Sequence, residues 1–334
     1  MSTSGLTVCL IIKNERSNLQ EVLPDLVLAA DDVVVVDTGS SDGSVELARA
    51  LGARVFTHPW NEHFADARNR GLEEVATSHA MWLDADDRID RSDLERVRAA
   101  CLEHGPEAGF TLILDSDGAK PEFRSTCRQL RVFPARPEHR FTGRVHEQIQ
   151  PSLERTGTRV VPLDVTVRHL GYSTDDIVRA KSRRNLELCR REWIEGAKTL
   201  ATAYHYVQAA SLAGEYAEGA NLVREVLAAT KPDSAEDIVQ NLRVTLGHLE
   251  EKQGRIPRAE SVYRHAVSLH ARDPWAAWHL GDLLARTGRG EEAIAWLEVA
   301  ASADPLSSRV PLPLAGVRAA AENRLRELRA GTPA

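Results

Sequence analysis

The stretch Asp32-Val33-Val34-Val35-Val36-Asp37-Thr38-Gly39-Ser40-Ser41-Asp42-Gly43 decides how the first part of this 334-residue chain folds. Four consecutive valines between two aspartates are typical of a parallel β-strand that is buried on both faces. The glycine, serine and aspartate residues that follow are typical of a turn, and Ser41 or Asp42 can cap the next helix. We therefore predict a strand over 32–37, a polar turn, and then a helix that runs to about Leu51.

Strand and helix signals alternate on both sides of this stretch. The predicted strands are 6–12, 53–57 and 80–83, and the predicted helices are 16–30, 64–76 and one that starts near Arg91. Strands separated by helices of this length indicate βαβ units and a parallel sheet with helices on its faces, a Rossmann-like α/β fold. Residues 105–170 are less regular, with strands predicted at 111–114, 130–133 and 160–167.

The chain from Asp175 onward predicts helices throughout, and it contains an internal repeat. Small residues recur at an interval of 34 residues: Gly247, Gly254, Ala259 and Ala266 recur as Gly281, Gly288, Ala293 and Ala300. This period matches the tetratricopeptide pattern, in which small residues lie where two antiparallel helices cross closely. We predict an α/β domain over residues 1–172 and an all-α repeat domain over residues 173–330.

Composition and charge exclude several classes of protein. The 42 basic and 49 acidic residues leave a net charge of −7, whereas a nucleic-acid-binding domain usually has a basic excess. No apolar run reaches the roughly 20 residues that a membrane-spanning helix needs, and no secretory signal is recognisable. The four cysteines form no Cys-X-X-Cys pair and are typical of reduced thiols. We expect a cytoplasmic protein without a nucleic-acid or membrane partner.

Three polar clusters follow predicted strands: Lys13-Asn14-Glu15, Asp37 and Asp84-Ala85-Asp86-Asp87. In parallel sheets, ligands bind where the carboxyl ends of neighbouring strands meet. The aspartates after residue 83 repel one another, and a divalent cation such as Mg²⁺ or Mn²⁺ relieves that repulsion and commonly also binds phosphates. The alternative is an acidic loop that caps the helix near Arg91.

Two further side chains fit a phosphate-containing ligand at this edge. The carboxylate of Asp37 can accept a hydrogen bond from a nucleobase, or it can cap its own turn. Arg68 lies in the predicted helix 64–76, and its guanidinium can make paired bonds to a phosphate. A surface salt bridge is the alternative for Arg68.

Four motifs together resemble glycosyltransferase family 2, whose members have the GT-A fold. They are Ile11-Ile12-Lys13-Asn14-Glu15, residues 34–43, Trp60…Phe64…Ala67-Arg68-Asn69 and Trp82-Leu83-Asp84-Ala85-Asp86-Asp87. The resemblance covers residues 5–90 in order and spacing. The most similar subgroup comprises soluble bacterial members with a helical repeat tail, among them the glycocin-type peptide S-glycosyltransferases.

The resemblance implies a nucleotide-sugar donor, with a UDP-sugar expected, and a divalent metal. It implies that Asp37 contacts the uracil, while Glu15, with Lys13 and Asn14 beside it, lies near the base or ribose. Arg68 is implied near the diphosphate. Asp84 is implied near the ribose or sugar, Asp86 on the metal, and Asp87 behind it.

Two later segments, Phe141-Thr142-Gly143-Arg144-Val145-His146-Glu147 and Val167-Arg168-His169-Leu170-Gly171-Tyr172, look like motifs of the same subgroup. A neutral His169 imidazole could complete the metal shell beside Asp86, or it could simply be packed. Glu147 is the candidate general base, with Asp115 and Asp117 as rivals. His146 could contact the diphosphate or orient Glu147.

These observations predict an inverting, single-displacement transfer of a sugar to a peptide or protein acceptor. The repeats would offer the peptide a concave surface, and a homodimer interface is the alternative use of that surface. Trp275, Trp278 and Trp296 are expected in the repeat core. Two other functions stay open: nucleotidyl transfer, and a repeat scaffold that carries a relic nucleotide-sugar domain.

Overall fold

The computed structural model describes residues 3–116, 125–170, 175–196, 198–231, 236–307 and 312–331. Within these ranges one compact unit comprises residues 3–116 and 128–170, and another comprises the described residues from 175 onward together with residues 125–127. The first unit contains a sheet with helices, and the second unit is helical. None of the described helices combines the length and the apolar character that a membrane crossing needs.

The sheet of the described chain has eight strands in the order β3-β2-β1-β4-β7-β6-β8-β5. The strands are β1 Thr3–Ile12, β2 Asp32–Asp37, β3 Arg54–Thr57, β4 Thr77–Asp84, β5 Asp87–Arg88, β6 Ala108–Ser116, β7 Ser125–Pro134 and β8 Arg159–His169. The helices of this unit are α1 Arg16–Ala29, α2 Ser44–Ala50, α3 Phe64–Leu72, α4 Arg91–His104 and α5 Gln150–Arg155.

The predicted parallel βαβ arrangement is confirmed for the first strands. β1 pairs in parallel with both β2 and β4, and β2 pairs in parallel with β3. The sheet as a whole is mixed, because β7 runs antiparallel to β4 and β5 runs antiparallel to β8. The carboxyl ends of β1, β2 and β4 therefore meet at one edge, where the predicted polar clusters lie.

Several predicted boundaries differ from the structure, and those of α3 and β4 lie next to the polar clusters. Helix α3 ends at Leu72 and not at Ala76, and β4 begins at Thr77 and continues through Asp84. The Thr77 hydroxyl lies 2.8 Å from that of Thr7 on β1, so tertiary pairing draws these residues into the sheet. Asp84 stays in register opposite Ile11, and the first aspartate of the acidic motif is therefore held by the sheet.

The two faces of the sheet are covered by separate apolar clusters. Successive side chains of β4 point to opposite faces of the sheet, as in any β-strand. Met81 and Leu83 pack in the cluster that contains Leu23 of α1, while Trp82 packs with Phe141. A central strand covered on both faces explains why this part of the sequence is nearly continuously apolar.

In the second unit, each helix packs against its neighbours along the chain. The helices are α6 Asp175–Ile194, α7 Leu200–Ala213, α8 Tyr216–Ala229, α9 Glu236–Lys252, α10 Ile256–Leu269, α11 Pro274–Arg286, α12 Gly290–Ala301 and α13 Leu314–Arg329. The pairs α9–α10 and α11–α12 are the two copies of the 34-residue repeat. The turn between the two helices of a pair recurs at the same interval, since α9 ends at Lys252 and α11 at Arg286, while α10 begins at Ile256 and α12 at Gly290.

Of the recurring glycines, Gly247 and Gly281 lie at close helix crossings, as predicted, whereas Gly254 and Gly288 lie in the turns after α9 and α11 with open space around them. A Cβ atom at Gly247 would overlap the ring of Tyr263, and one at Gly281 would lie 2.9 Å from Cγ of Leu297. Gly254 and Gly288 end the first helix of each pair with φ of 73° and 79°, a conformation that favours glycine. The three predicted core tryptophans, Trp275, Trp278 and Trp296, pack against the apolar cluster of this unit.

Candidate functional site

Three carboxylates and one imidazole meet where β4, β5 and β8 adjoin. Asp84, Asp86, Asp87 and His169 each offer a ligand atom, and these atoms lie within 4.8 Å of one another. The sheet makes this cluster, because Asp87 on β5 pairs with His169 on β8. The backbone N–H of Leu170 also donates to the carbonyl oxygen of Asp86 at 3.0 Å. Residues more than 80 positions apart are thus brought into one site.

Asp87 is completely buried and acts as the organising member of the cluster. Its Oδ2 atom accepts hydrogen bonds from the backbone N–H of Asp84 at 2.9 Å and from Arg131 Nη1 at 2.7 Å. Its Oδ1 atom accepts from His169 Nδ1 at 2.9 Å. Asp87 therefore orients the imidazole and compensates the buried charge of Arg131, whose guanidinium carbon lies 3.7 Å from the centre of the Trp82 ring.

His169 and Asp86 are the members best suited to hold a cation. His169 Nδ1 lies 3.5 Å from Asp86 Oδ1, and the two side chains are 16% and 18% exposed. Burial lowers the pKa of His169, but the hydrogen bond to Asp87 and the charges of Asp86, Asp87 and Asp84 outweigh it and raise that pKa. The negative surroundings therefore favour a positive charge at this position.

The donor set fits a divalent cation. Carboxylate oxygens suit Mg²⁺ and Mn²⁺, and an imidazole beside them is a frequent ligand of the transition metals. A carboxylate that holds one ring nitrogen of a ligating histidine is a common arrangement around protein metals, and Asp87 occupies that place here. Asp86 and His169 are thus the residues that would bind the cation.

Arg68 on α3 links this cluster to the segment that contains Glu147. Its side chain is 6% exposed; Nη2 donates to Asp84 Oδ1 at 2.7 Å, and Nε donates to Glu147 Oε1. The guanidinium lies over the ring of Trp82, with its carbon 4.3 Å from the ring centre. Burial lowers the pKa of Arg68, but the charges of Glu147 and Asp84 outweigh it, so the guanidinium remains charged. The surface salt bridge considered for Arg68 is excluded by its burial.

Positive charges around Asp84 keep its carboxyl group ionised. Burial raises the pKa of this carboxyl group, but the positive charges of Arg68, Arg131 and His169 outweigh it and hold the pKa well below its usual range. The carboxylate therefore stays negative across the physiological range of pH. It is the acceptor of the Arg68 bond and borders the proposed cation ligands.

The segment 141–147 is fixed against α3 by backbone and amide bonds. Asn69 Nδ2 donates to the carbonyl oxygen of Phe141 at 3.0 Å, and the N–H of Phe141 donates to Asn69 Oδ1 at 2.8 Å. The N–H of Phe64 donates to the carbonyl oxygen of Arg144 at 2.8 Å. These bonds explain why Asn69 and Phe64 accompany Arg68 in the motif. They hold Glu147 beside Arg68, whereas the side chain of His146 is exposed and its φ is 53°.

Asp115 and Asp117 are the two other candidates for the general base. Asp115 is on β6 opposite Arg168 of β8, one position before the Ser116–His169 pair. Its strand therefore ends beside the imidazole of the cluster. Asp117 lies outside the described residues, as do Gly171 and Tyr172 of the second late motif.

The loops after β1 and β2 are tied together at the same sheet edge. Asn14 has φ of 58°; its N–H donates to Ser40 Oγ at 2.8 Å, and its Oδ1 accepts from the N–H of Ser41 at 2.8 Å. The N–H of Glu15 donates to Ser44 Oγ at 2.9 Å. Lys13, between these contacts and the end of β1, is exposed. The polar run 13–15 thus forms a loop that is hydrogen-bonded to the loop after β2 and that exposes Lys13.

Asp37 ends β2 directly beside Ile12, the last residue of β1. Its carboxylate is buried and accepts hydrogen bonds from the N–H groups of Gly39 at 3.1 Å and Ser40 at 3.0 Å. The turn-capping alternative for Asp37 is therefore present in the structure. A carboxylate has about four acceptor positions, so this capping still leaves capacity for a nucleobase N–H.

Sequence reasoning missed one residue of the site, Arg131. It is 2% exposed on β7 and forms an ion pair with the fully buried Asp87. Its position between Leu130 and Val132, in a segment with strand character, was an available signal. A charged residue at a buried strand position needs a partner of opposite charge.

Two family models match the chain, and each matches part of one of the units described above. The model of glycosyl transferase family 2 matches residues 7–151. The model of the tetratricopeptide repeat matches residues 244–308. The first range contains every proposed site residue except His169. The second range begins within α9 and continues through α10, α11 and α12.

Relatives with curated names support both matches. A TPR repeat-containing protein of Synechococcus elongatus is 24% identical over 271 residues, which are 78% of this chain and 66% of that protein. The SPbeta prophage-derived glycosyltransferase SunS of Bacillus subtilis is 22% identical over 199 residues, which are 56% of this chain and 44% of that protein. The chain thus covers less than two thirds of the length of either relative.

Among solved structures, that of residues 1–349 of Staphylococcus aureus TarS aligns with 98% of this chain and 92% of its own, at 14% identity and a TM-score of 0.39. A TM-score of this size adds nothing to the description of the fold. The sheet, the helical pairs and the two family matches confirm the predicted α/β fold and the predicted helical repeats. Residues 7–151 of this chain thus match glycosyl transferase family 2, and residues 244–308 match the tetratricopeptide repeat.

Proposed function

We propose that this protein is a metal-dependent glycosyltransferase that moves a sugar from a nucleotide-sugar, a UDP-sugar in the first instance, to a peptide or protein side chain. The observation that carries the proposal is the cluster of Asp84, Asp86, Asp87 and His169. This cluster lies within the sheet of a family 2 domain and adjoins the buried cation Arg68. An acidic cluster alone would not support this proposal. A cluster that adjoins a buried arginine can accommodate a diphosphate, because the guanidinium offsets part of its negative charge.

The donor would bind across the carboxyl ends of β1, β2 and β4. Asp37 would accept a hydrogen bond from the base, and Lys13, Asn14 and Glu15 would lie along the base and ribose. The adjacent ends of β1 and β2 and the bonds between their loops support this arrangement. Asp84, at the end of the neighbouring β4, would face the ribose or the sugar.

Asp86 and His169 would hold the divalent cation, Mn²⁺ or Mg²⁺. Such a cation neutralises the negative charge that develops on a departing nucleoside diphosphate. Arg68 would add a second positive charge on the diphosphate, at the cost of loosening one of its two carboxylate bonds. The charge-assisted bonds of Arg68 to Asp84 and Glu147 keep it in place before the donor arrives.

Glu147 would act as the general base. Its carboxylate would take the proton of the acceptor O–H or S–H while that oxygen or sulfur bonds to the anomeric carbon and the bond from that carbon to the diphosphate breaks. A single displacement of this kind inverts the anomeric centre. His146, next to Glu147, would contact the diphosphate or orient the base. The support for Glu147 is its fixed position beside Arg68, through the bonds of segment 141–147 to α3.

The two parts of the chain would have different roles in the reaction. Residues 1–172 would carry out the transfer, and the repeats within 173–330 would bind the acceptor polypeptide. Tetratricopeptide repeats commonly present surfaces to peptides, which supports a peptide or protein acceptor. A homodimer through the repeats is the second use that the same surface allows.

A donor-hydrolysis assay tests the proposal. The full chain is incubated with a panel of UDP- and GDP-sugars with Mn²⁺, with Mg²⁺ or with a chelator, and the products are identified by mass spectrometry. Release of a nucleoside diphosphate that needs the cation is expected. Release of pyrophosphate would instead indicate nucleotidyl transfer, and neither binding nor turnover would indicate a scaffold with a relic domain. Asp25→Asn, an exposed change on α1, serves as the matched control and should behave as the wild type.

A further inference from the structure

A further set of hydrogen bonds connects the loop after β1 with the turn between β4 and β5. Asn18 of α1 lies at its centre: its Nδ2 donates to Glu15 Oε2 at 2.8 Å, and its Oδ1 accepts from Arg88 Nη2 at 2.8 Å. Arg88 of β5 also donates from Nη1 to the carbonyl oxygen of Ala85 at 3.0 Å. We call Asn18 and Arg88 together the bridge. No role proposed above involves either residue.

The chemistry of its neighbours fixes which way the Asn18 amide points. A guanidinium only donates hydrogen bonds, so the amide oxygen has to face Arg88. An ionised carboxylate only accepts them, so the amide nitrogen has to face Glu15. Both bonds have ordinary lengths in the structure. A carboxylate or an apolar side chain at position 18 could not serve both neighbours, and asparagine is therefore suited to join them.

Arg88 holds the backbone on one side of Asp86, the carboxylate proposed to bind the cation. Its Nη1 atom bonds to the carbonyl oxygen of Ala85, which belongs to the peptide group before Asp86. The carbonyl oxygen of Asp86 itself accepts from the N–H of Leu170 at 3.0 Å. Because peptide groups are planar, holding both of them sets the direction in which the Asp86 side chain leaves the backbone. Arg88 is thus placed to act on the cation site without being part of it.

The guanidinium of Arg88 is placed by its bonds inside the fold more than by its surface ion pair. The side chain is 15% exposed, and Nη1 also donates to the carbonyl oxygen of Asp87 at 3.0 Å. Its charged partner, Glu21, lies 2.7 Å from Nη2 but is 67% exposed, and an ion pair at such a position contributes little. We therefore attribute the orientation of Arg88 to Asn18 and to the two carbonyl groups.

We propose that Asn18 and Arg88 are positioning residues of the donor site. Asn18 holds the carboxylate of Glu15, at the end of the site expected to bind the nucleoside. Arg88, which Asn18 orients, holds the turn that carries Asp86, at the end expected to bind the cation. Neither residue would contact the donor, and each acts through the residue that it holds. This inference rests on the function proposed above.

Two substitutions at position 18 separate the two ends of the bridge. Asn18→Asp still accepts from Arg88 but places a second carboxylate against Glu15. Its affinity for Mn²⁺ should stay within about twofold of the wild type, while its affinity for UDP at saturating Mn²⁺ should fall about fivefold or more. Asn18→Leu loses both bonds, and both affinities should fall about fivefold or more. Electron paramagnetic resonance measures Mn²⁺ binding without nucleotide, and calorimetry measures UDP binding, both on the full chain.

Ser17→Asp is the matched control for the added charge. Ser17 is the exposed neighbour of Asn18 on α1 and takes no part in the bridge. An exposed charge is screened by salt, so the UDP affinity of this variant should stay within about twofold of the wild type.

Arg88→Lys tests the cation end even if Asn18→Leu fails to fold. Lysine keeps the positive charge, but its single nitrogen lacks the planar fork that reaches Asn18 and the Ala85 carbonyl together. The affinity for Mn²⁺ should therefore fall about threefold or more.

Unchanged UDP affinity in Asn18→Asp, unchanged Mn²⁺ affinity in Arg88→Lys, or equal losses of both affinities in the two Asn18 variants would overturn the inference. A loss of UDP affinity in Ser17→Asp as large as that in Asn18→Asp would overturn it as well. Release of nucleoside diphosphate from the donor is measured in the same preparations. Turnover in the wild type, with variants that behave like it, would contradict this inference alone. A wild type that binds neither Mn²⁺ nor UDP would contradict both this inference and the transferase proposal.

Discussion

At the scale of single residues, the site depends on two buried arginines that neutralise its acids. Arg131 compensates Asp87, and Arg68 compensates Asp84 and Glu147. Breaking a buried ion pair on one side commonly costs about 3–5 kcal/mol, because the remaining charge is left uncompensated. Asp86 is 18% exposed, whereas Asp87 is fully buried, so we expect a change at Asp86 to damage the fold less than a change at Asp87.

We expect Asp86→Ala to lower Mn²⁺ affinity at least tenfold and donor turnover by about 10²-fold or more, because the cation would lose its carboxylate ligand. The melting temperature should stay close to that of the wild type. Manganese binding is followed by electron paramagnetic resonance and turnover by nucleoside diphosphate release, with Asp25→Asn as the control. Wild-type turnover in Asp86→Ala, or full activity in the presence of a chelator, would contradict the metal assignment.

Glu147→Gln separates binding of the donor from transfer of the sugar. The amide oxygen of glutamine can still accept the bond from Arg68 Nε, but it cannot take up a proton. We expect kcat for transfer to fall about 10²–10⁴-fold, while the KM of the donor changes less than about twofold. Steady-state kinetics with donor and acceptor measure both constants. An unchanged kcat would move the base assignment to Asp115 or Asp117.

At the scale of secondary-structure elements, the helical pairs depend on the absence of side chains at their crossings. Gly247 on α9 lets the ring of Tyr263 on α10 approach the backbone, and Gly281 does the same for Leu297 on α12. The small residues recur because each pair of helices has to cross at the same short distance. A methyl group at such a crossing has no space unless a neighbour moves.

We expect Gly247→Ala to destabilise the helical unit by about 1–3 kcal/mol, since its Cβ would overlap the Tyr263 ring. In the double variant with Tyr263→Leu the loss should be smaller than the sum of the single losses, because the overlap is removed. Urea unfolding followed by circular dichroism gives the free energies. Gly254→Ala, strained by a φ of 73° but with open space around its Cβ, is the control and should show no coupling to Tyr263. Additive losses for Gly247→Ala and Tyr263→Leu would argue against the crossing.

At the scale of the whole molecule, the response to acid is expected to be set by buried histidines of the repeats. Burial lowers the pKa of His279 to about 3, and the positive charges of His248 and Arg286 contribute to the same shift. Burial also lowers the pKa of His248. His279 stacks on Tyr263, and its Nε2 atom has no partner among the described residues, so a proton there would not be stabilised.

The sign of the pH effect follows from these lowered values. Well above pH 6.5 these histidines are neutral in both the folded and the unfolded chain, so protonation does not reduce the stability of the folded chain there. As the pH falls from about 6.5 towards 3, only the unfolded chain takes up the proton at position 279, and stability falls by about 1.4 kcal/mol per pH unit for that group. We expect the melting temperature of the helical unit to fall between pH 6.5 and 4.5, and to fall less steeply in His279→Phe. Parallel pH dependences in the two proteins would contradict this assignment.

Several features could be predicted from the sequence because they depend on neighbours along the chain. The strand 32–37 follows from its valines and the turn after it, and its predicted bounds are those of the structure. The 34-residue repeat follows from recurring small residues, since one pair of helices forms each copy. The grouping of Asp84, Asp86 and Asp87 follows from their place after a buried strand.

Tertiary structure alone decided which distant residues meet at the site. The antiparallel position of β7 beside β4 and the contact of Arg131 with Asp87 depend on strand pairing, which has no local signal. The ion pairs of Arg68 with Asp84 and Glu147 likewise form only when α3, β4 and segment 141–147 pack together. Periodicity and turn residues act over a few positions, whereas an ion pair between distant residues exists only once the packed sheet and helices bring its partners together.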